Sequence, residues 1–186
     1  MSSSVLRWRK LDGRGLEVLR LRAGPSSVIA SSHVIDAGDT PFAVWYEWRL
    51  DPQWRTHSLH VTLWEEKRRE LHIERTGDSR WSIDRSPRPD LGGCEEIDLS
   101  ITPFCNTLAL RRFGASPGGP GELTTLYISF PDLMISPSRQ RYEQLGSHLF
   151  KYIDLGLSAG FEADLAVDDH GLVRHYPQLF ERLEQP

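Results

Sequence analysis

The chain is poor in cysteine and lysine: among 186 residues it has Cys94 and Cys105, and Lys10, Lys67 and Lys151. The two cysteines form no Cys-x-x-Cys pair, which argues against a zinc knuckle or a dithiol redox motif. They are expected as reduced thiols, as in a cytoplasmic protein. No apolar run approaches the roughly 20 residues of a membrane-crossing helix. The opening MSSSVLRWRKLD has neither the apolar centre nor the cleavage site of a secretory signal. The expected location is therefore the cytoplasm, with no membrane span. A net charge of −4 supplies no broad positive field, so no nucleic-acid partner is expected. Phosphate-loop and Gly-x-Ser-x-Gly signatures are missing as well. No cofactor, metal or catalytic residue is assigned by motif, and the oligomeric state is not legible.

What is present is alternation. Phe42, Val44, Tyr46, Trp48 and Leu50 share one parity, with Glu47 and Arg49 on the other. Leu59, Val61 and Leu63 alternate with polar residues, as do Leu71 and Ile73, and Phe161, Ala163, Leu165 and Val167. A period of two places each set on one face of a sheet. Further strands are expected at 5–11, 16–22, 27–36, 80–84, 95–99, 108–113, 123–130 and 148–154. Turn signals separate them, among them Asp12-Gly13, Ser116–Glu122 and Asp169-His170-Gly171. Such spacing predicts an all-β, mainly antiparallel fold with little helix: one domain over 1–186, barrel-like or built on a strongly curved sheet around a cavity. Residues 138–149 fit either a strand or one helix face, and Tyr176-Pro177 reads as the start of a short terminal helix. Trp45 and Trp64 lie on the parity opposite their apolar neighbours, so the second sheet face is either covered or lines a cavity.

Most candidate chemistry reads as ordinary structure. His57 and His60 point to opposite faces of a strand and cannot share a metal; His72 and Glu74 share a face that reads as solvated. Asp168-Asp169-His170-Gly171 lacks the remaining ligands of a calcium loop and reads as a tight turn. The stretch from Cys94 to Gly114 is less ordinary. Thr102-Pro103 ends the ladder, because proline has no amide hydrogen and restricts the residue before it. Phe104 to Thr107 then turn, and Leu108 and Leu110 resume alternation up to Arg111 and Arg112. Asp98 paired with either arginine across an exposed hairpin is one reading, and contributes little. A charged cluster within a cavity, aimed at a phosphate, carboxylate or sugar, is the other.

This stretch carries a resemblance. Cys94, Asp98-Leu99, Thr102-Pro103-Phe104, Asn106-Thr107-Leu108 and Arg111-Arg112 match one block of a family pattern. Tyr152, Phe161–Asp168, Gly171-Leu172-Val173 and Tyr176-Pro177 match a second. Trp8, Glu17, Tyr46, Trp54 and Trp81 fall at further positions of the pattern. The chain resembles the glycolipid-binding family of bacterial proteins, formerly a domain of unknown function. It departs from the pattern at Cys105, where Thr or Ser is expected, and at Ala109, where Pro is expected.

The resemblance implies a β-rich, barrel-like fold similar to that of lipoprotein carriers, with a large cavity for a glycolipid or another acyl-chain amphiphile. Trp8, Tyr46, Trp48, Trp81 and Tyr127 would line the walls. Glu17, Asp98, Arg111 and Arg112 would orient a polar head, with Asn106 on the bend at Thr102–Thr107. Non-catalytic carriage leads. The alternative is an enzyme for a lipid-like or small hydrophobic substrate, with Glu17 or Asp98 as acid or base. A packed module with no ligand is the third reading.

Overall fold

The computed structural model describes residues 2–113 and 121–184. These form a mainly antiparallel all-β fold with one α-helix, as alternation predicted. They divide into two compact units: residues 2–92 with 182–184, and residues 93–113 with 121–181.

The first unit is a meander. Its strands are β1 (Ser2–Lys10), β2 (Gly15–Ala23), β3 (Val28–Asp36), β4 (Phe42–Leu50), β5 (Thr56–Trp64), β6 (Arg68–Gly77), β7 (Arg80–Ile83) and β8 (Ser86–Pro87). Each pairs antiparallel with the next. In β4 the predicted parity is kept: Phe42, Val44, Tyr46, Trp48 and Leu50 are buried. The Trp48 indole is satisfied by donating to Thr56 Oγ1 at 2.8 Å. Opposite them, Trp45 is half-buried and edge-on to His60, while Trp64 is 43% exposed.

The second unit contains β9 (Glu96–Leu99), α1 (Phe104–Phe113), β10 (Gly121–Ile128), β11 (Ile135–Gly146), β12 (Leu149–Asp154), β13 (Glu162–Val167), β14 (Val173–Tyr176) and β15 (Phe180–Arg182). β9 pairs parallel with β10, which requires a crossover, and α1 lies in it. The remaining neighbours pair antiparallel from β10 to β15. In neither unit do the first and last strands pair with each other, so neither closes into a barrel by itself.

Two local expectations are corrected, and one open alternative is decided. Residues 104–113 are helix, not a turn followed by a strand. Thr102 is its N-cap: Thr102 Oγ1 accepts the Phe104 amide at 3.1 Å, and Pro103 occupies the first-turn position where a missing N–H costs nothing. Arg111 and Arg112 complete the last turn, where the helix dipole favours cations. Residues 138–149 form the β11–β12 hairpin rather than a helix. Tyr176-Pro177 opens a tight turn into β15, closed by the Leu179 amide donating to the Tyr176 carbonyl at 3.0 Å, not a terminal helix.

The turn at Asp168–Gly171 forms as expected: Asp168 Oδ1 accepts the amides of His170 and Leu172, and Gly171 takes φ +73°. Of the loop read at Ser116–Glu122, residues 116–120 lie outside the described residues.

Candidate functional site

The second unit holds a cavity of about 290 Å³, half open to solvent. Its polar wall is Asp98 at the end of β9, Asn106 in α1 and Asp154 at the end of β12, with Ser158 beyond it. Tyr152, Tyr176, Phe161 and Phe180 supply aromatic lining. The exposed Leu157 and half-buried Leu179 stand at the open side.

Each polar group is held by the local fold. Gln140 Nε2 on β11 donates to Asp98 Oδ2. The Cys105 thiol, in the first turn of α1, is close enough to the Asp98 carboxylate to favour its ionised form, and it donates to the Leu99 carbonyl at 3.8 Å. Cys105 Sγ accepts the Leu99 amide at 3.0 Å, which ties that turn to the strand. Tyr142 donates to Asn106 Oδ1 at 2.8 Å and so fixes the amide's orientation. Asp154 Oδ1 accepts the amides of Gly156 and Ser158, at 2.7 and 3.2 Å, and shapes the loop that walls one side. Tyr152 donates to Asp154 Oδ2 at 3.3 Å.

The aromatic rings form a connected cluster. Tyr152 meets Tyr142 edge-on at 5.4 Å, Phe161 at 6.1 Å and Tyr176 at 6.0 Å. Tyr176 continues to Phe180 at 6.3 Å. These are favourable offset and edge-to-face separations. The rings keep water from surrounding the carboxylates. Burial is accordingly the first cause of a rise in the Asp98 pKa from 3.8 to about 6; the charge of Asp154 adds to it, and the bond from Gln140 and the nearby Cys105 thiol oppose it. Burial also raises the Tyr127, Tyr152 and Tyr176 hydroxyls, which stay protonated as donors.

Of the residues singled out by sequence, Asp98, Asn106 and Tyr127 line this cavity. Arg111 and Arg112 bond elsewhere in the second unit. Arg111 donates to the His170 carbonyl at 2.8 Å; Arg112 donates to the Glu95 carbonyl at 3.1 Å and lies 3.6 Å from the Glu95 carboxylate. Asp98 thus takes Gln140 as its hydrogen-bond partner rather than the arginine expected across a hairpin.

Trp8, Glu17, Tyr46, Trp48 and Trp81 are buried in the first unit. There Glu17 Oε1 accepts from Ser32 and from Tyr46, each at 2.7 Å. The Arg75 guanidinium covers the Trp81 ring at 4.4 Å, within cation–π range.

Sequence reasoning did not assign Gln140, Tyr152, Asp154, Phe161, Tyr176 or Phe180 to a site. The last five lie in or beside the matched C-terminal block, which was the signal available. A larger open groove in the first unit, of about 1060 Å³, is lined by Phe42, Trp64 and several charged residues.

The family described as Putative glycolipid-binding matches residues 5–182. A crystal structure of a DUF1089 family protein from Pseudomonas aeruginosa is 33% identical, with a TM-score of 0.80, covering 91% of this chain and 92% of that one. No curated protein matches the chain. No helix among the described residues is long and apolar enough to cross a membrane.

Proposed function

This chain belongs to the Putative glycolipid-binding family, and from that membership we propose that the cavity of the second unit binds the sugar head of a glycolipid without chemical change. The carrying observation is that its wall combines two carboxylates and an amide with aromatic rings. A sugar has the same combination: hydroxyls around its edge and apolar C–H groups on its faces. Asp98, Asp154 and Asn106 would accept hydroxyls, and bonds to ionised acceptors are the stronger kind. Tyr152 and Tyr176 would cover the ring faces, as the mostly apolar lining of small-molecule sites does.

Volume narrows the reading. The 290 Å³ of the cavity equals that of about ten waters at ~30 Å³ each. That matches a single sugar ring, not a sugar together with a long acyl chain. The acyl chain would leave past Leu157 and Leu179. Trp8, Tyr46, Trp48 and Trp81 support the fold in this reading rather than line the sugar site.

Native mass spectrometry of the purified protein, followed by titration of delipidated protein, tests the proposal. A glycolipid, its sugar-free lipid and the free sugar form the panel. The glycolipid should bind best, and Asp98→Asn should weaken it while leaving the sugar-free lipid unaffected. Equal affinity for glycolipid and sugar-free lipid, or indifference to the whole panel, refutes it.

The Asp98 pKa near 6 favours a second reading, in which that carboxyl serves as a general acid on the same ligand. New products after incubation, absent with Asp98→Asn, would select it.

A further inference from the structure

On the outer face of the first unit, the ladder joins residues that are distant in sequence. His60 on β5 stands directly opposite His72 on β6. Glu70 is two residues from His72 and so shares its face. The two imidazoles stack at 3.9 Å between centroids and 17° between planes. One coordinating atom from each of His60, His72 and Glu70 lies within 4.8 Å of the others. Trp45 closes one side, edge-on to His60 at 5.3 Å. His60 Nε2 is shielded from solvent and makes no hydrogen bond among the described residues.

We propose that His60, His72 and Glu70 form a site for a divalent first-row transition ion such as Zn2+. Two imidazoles and a carboxylate are the ligands that Zn2+, Ni2+ and Cu2+ prefer over Mg2+ or Ca2+. A tetrahedral ion with bonds of about 2.0–2.1 Å draws its ligands to about 3.4 Å apart. The present spread, up to 4.8 Å, must close by up to about 1.4 Å, which the exposed side chains of His72 and Glu70 allow. Glu70 now pairs with Arg68, itself 62% exposed, and an exposed pair is readily exchanged for a metal bond. Glu47, in register with His60 on β4, and Asp84, which accepts the His72 amide at 2.9 Å, add negative charge around the site. Three protein ligands leave one position open to water or to an anionic group of a partner. A bound ion would clamp β5 to β6.

The full chain, freed of metal with a chelator, is titrated with ZnCl2 by calorimetry. Wild type should bind one equivalent. His72→Ala, an exposed substitution whose fold is checked by circular dichroism, should weaken it at least tenfold. Arg68→Ala should strengthen it by releasing Glu70. Cu2+ should quench Trp emission in wild type and less in Trp45→Phe. Absence of stoichiometric Zn2+ binding overturns the proposal. So does a His72→Ala protein that binds as wild type does, since the ion would then sit elsewhere.

Discussion

Replacing Asp98 by Asn should stabilise the protein above pH 6 and do nothing comparable at pH 4. The folded-state carboxyl titrates near 6, against an ordinary 3.8, and burial is the leading cause. Below pH 3.8 both folded and unfolded chains hold the proton, so Asp98 contributes no pH dependence. Between the two values the folded chain keeps the proton and the unfolded chain releases it. Stability therefore falls as pH rises through this window. Above about 6 both states are ionised, and the loss is complete.

At 1.36 kcal/mol per pKa unit, the difference between 3.8 and about 6 amounts to at most about 3 kcal/mol. Asp98 keeps some contact with cavity water, which softens the effect; about 1–3 kcal/mol is expected. Asn cannot ionise, so the variant escapes the loss. It still offers one acceptor to Gln140, and any cost of the altered bonds is carried at both pH values. Urea denaturation of both proteins at pH 4 and pH 7.5 isolates the difference. The stability of Asp98→Asn relative to wild type should rise by about 1–3 kcal/mol between the two. For a chain of this size that is about 2–12 °C in melting temperature. A relative stability independent of pH would refute the account of a desolvated carboxyl.

Other outcomes follow from the same structure. Thr102→Ala removes the N-cap bond to Phe104 and should cost about 1 kcal/mol in chemical denaturation; no loss would mean the cap is not what starts α1. Tyr46→Phe deletes one of two hydroxyl donors to Glu17 Oε1 in a fully buried setting. Because the acceptor is buried, a loss of about 1–3 kcal/mol is expected by the same measurement; a neutral result would remove that bond from the account of the first unit.

Much of the β structure was legible because one face of each strand is buried and the other is not. Phe42 to Leu50 keep their parity, and so do Ala163 to Val167. The helix was not legible, for the converse reason. All seven residues from Phe104 to Leu110 are buried, so α1 shows no apolar stripe to reveal a period of 3.6. Leu108 and Leu110 then imitate strand alternation. Thr102-Pro103 fits both readings, since a missing amide hydrogen ends a ladder and opens a helix equally well. The site was harder still. Tyr152, Asp154, Tyr176 and Phe180 each read as ordinary alternation or turn, and the matched C-terminal block marked the region without assigning any of them to a site.

By itself the sequence determined the fold class, the parity of most strands and the family, because these depend on local side-chain pattern and on motif order. Only the tertiary structure decided which groups meet. Gln140 reaches Asp98 across 42 residues, His60 stacks on His72, and the arginines after the bend go to His170 and Glu95. Such meetings depend on strand register and on the path of α1, and a pattern of period two carries no information about either.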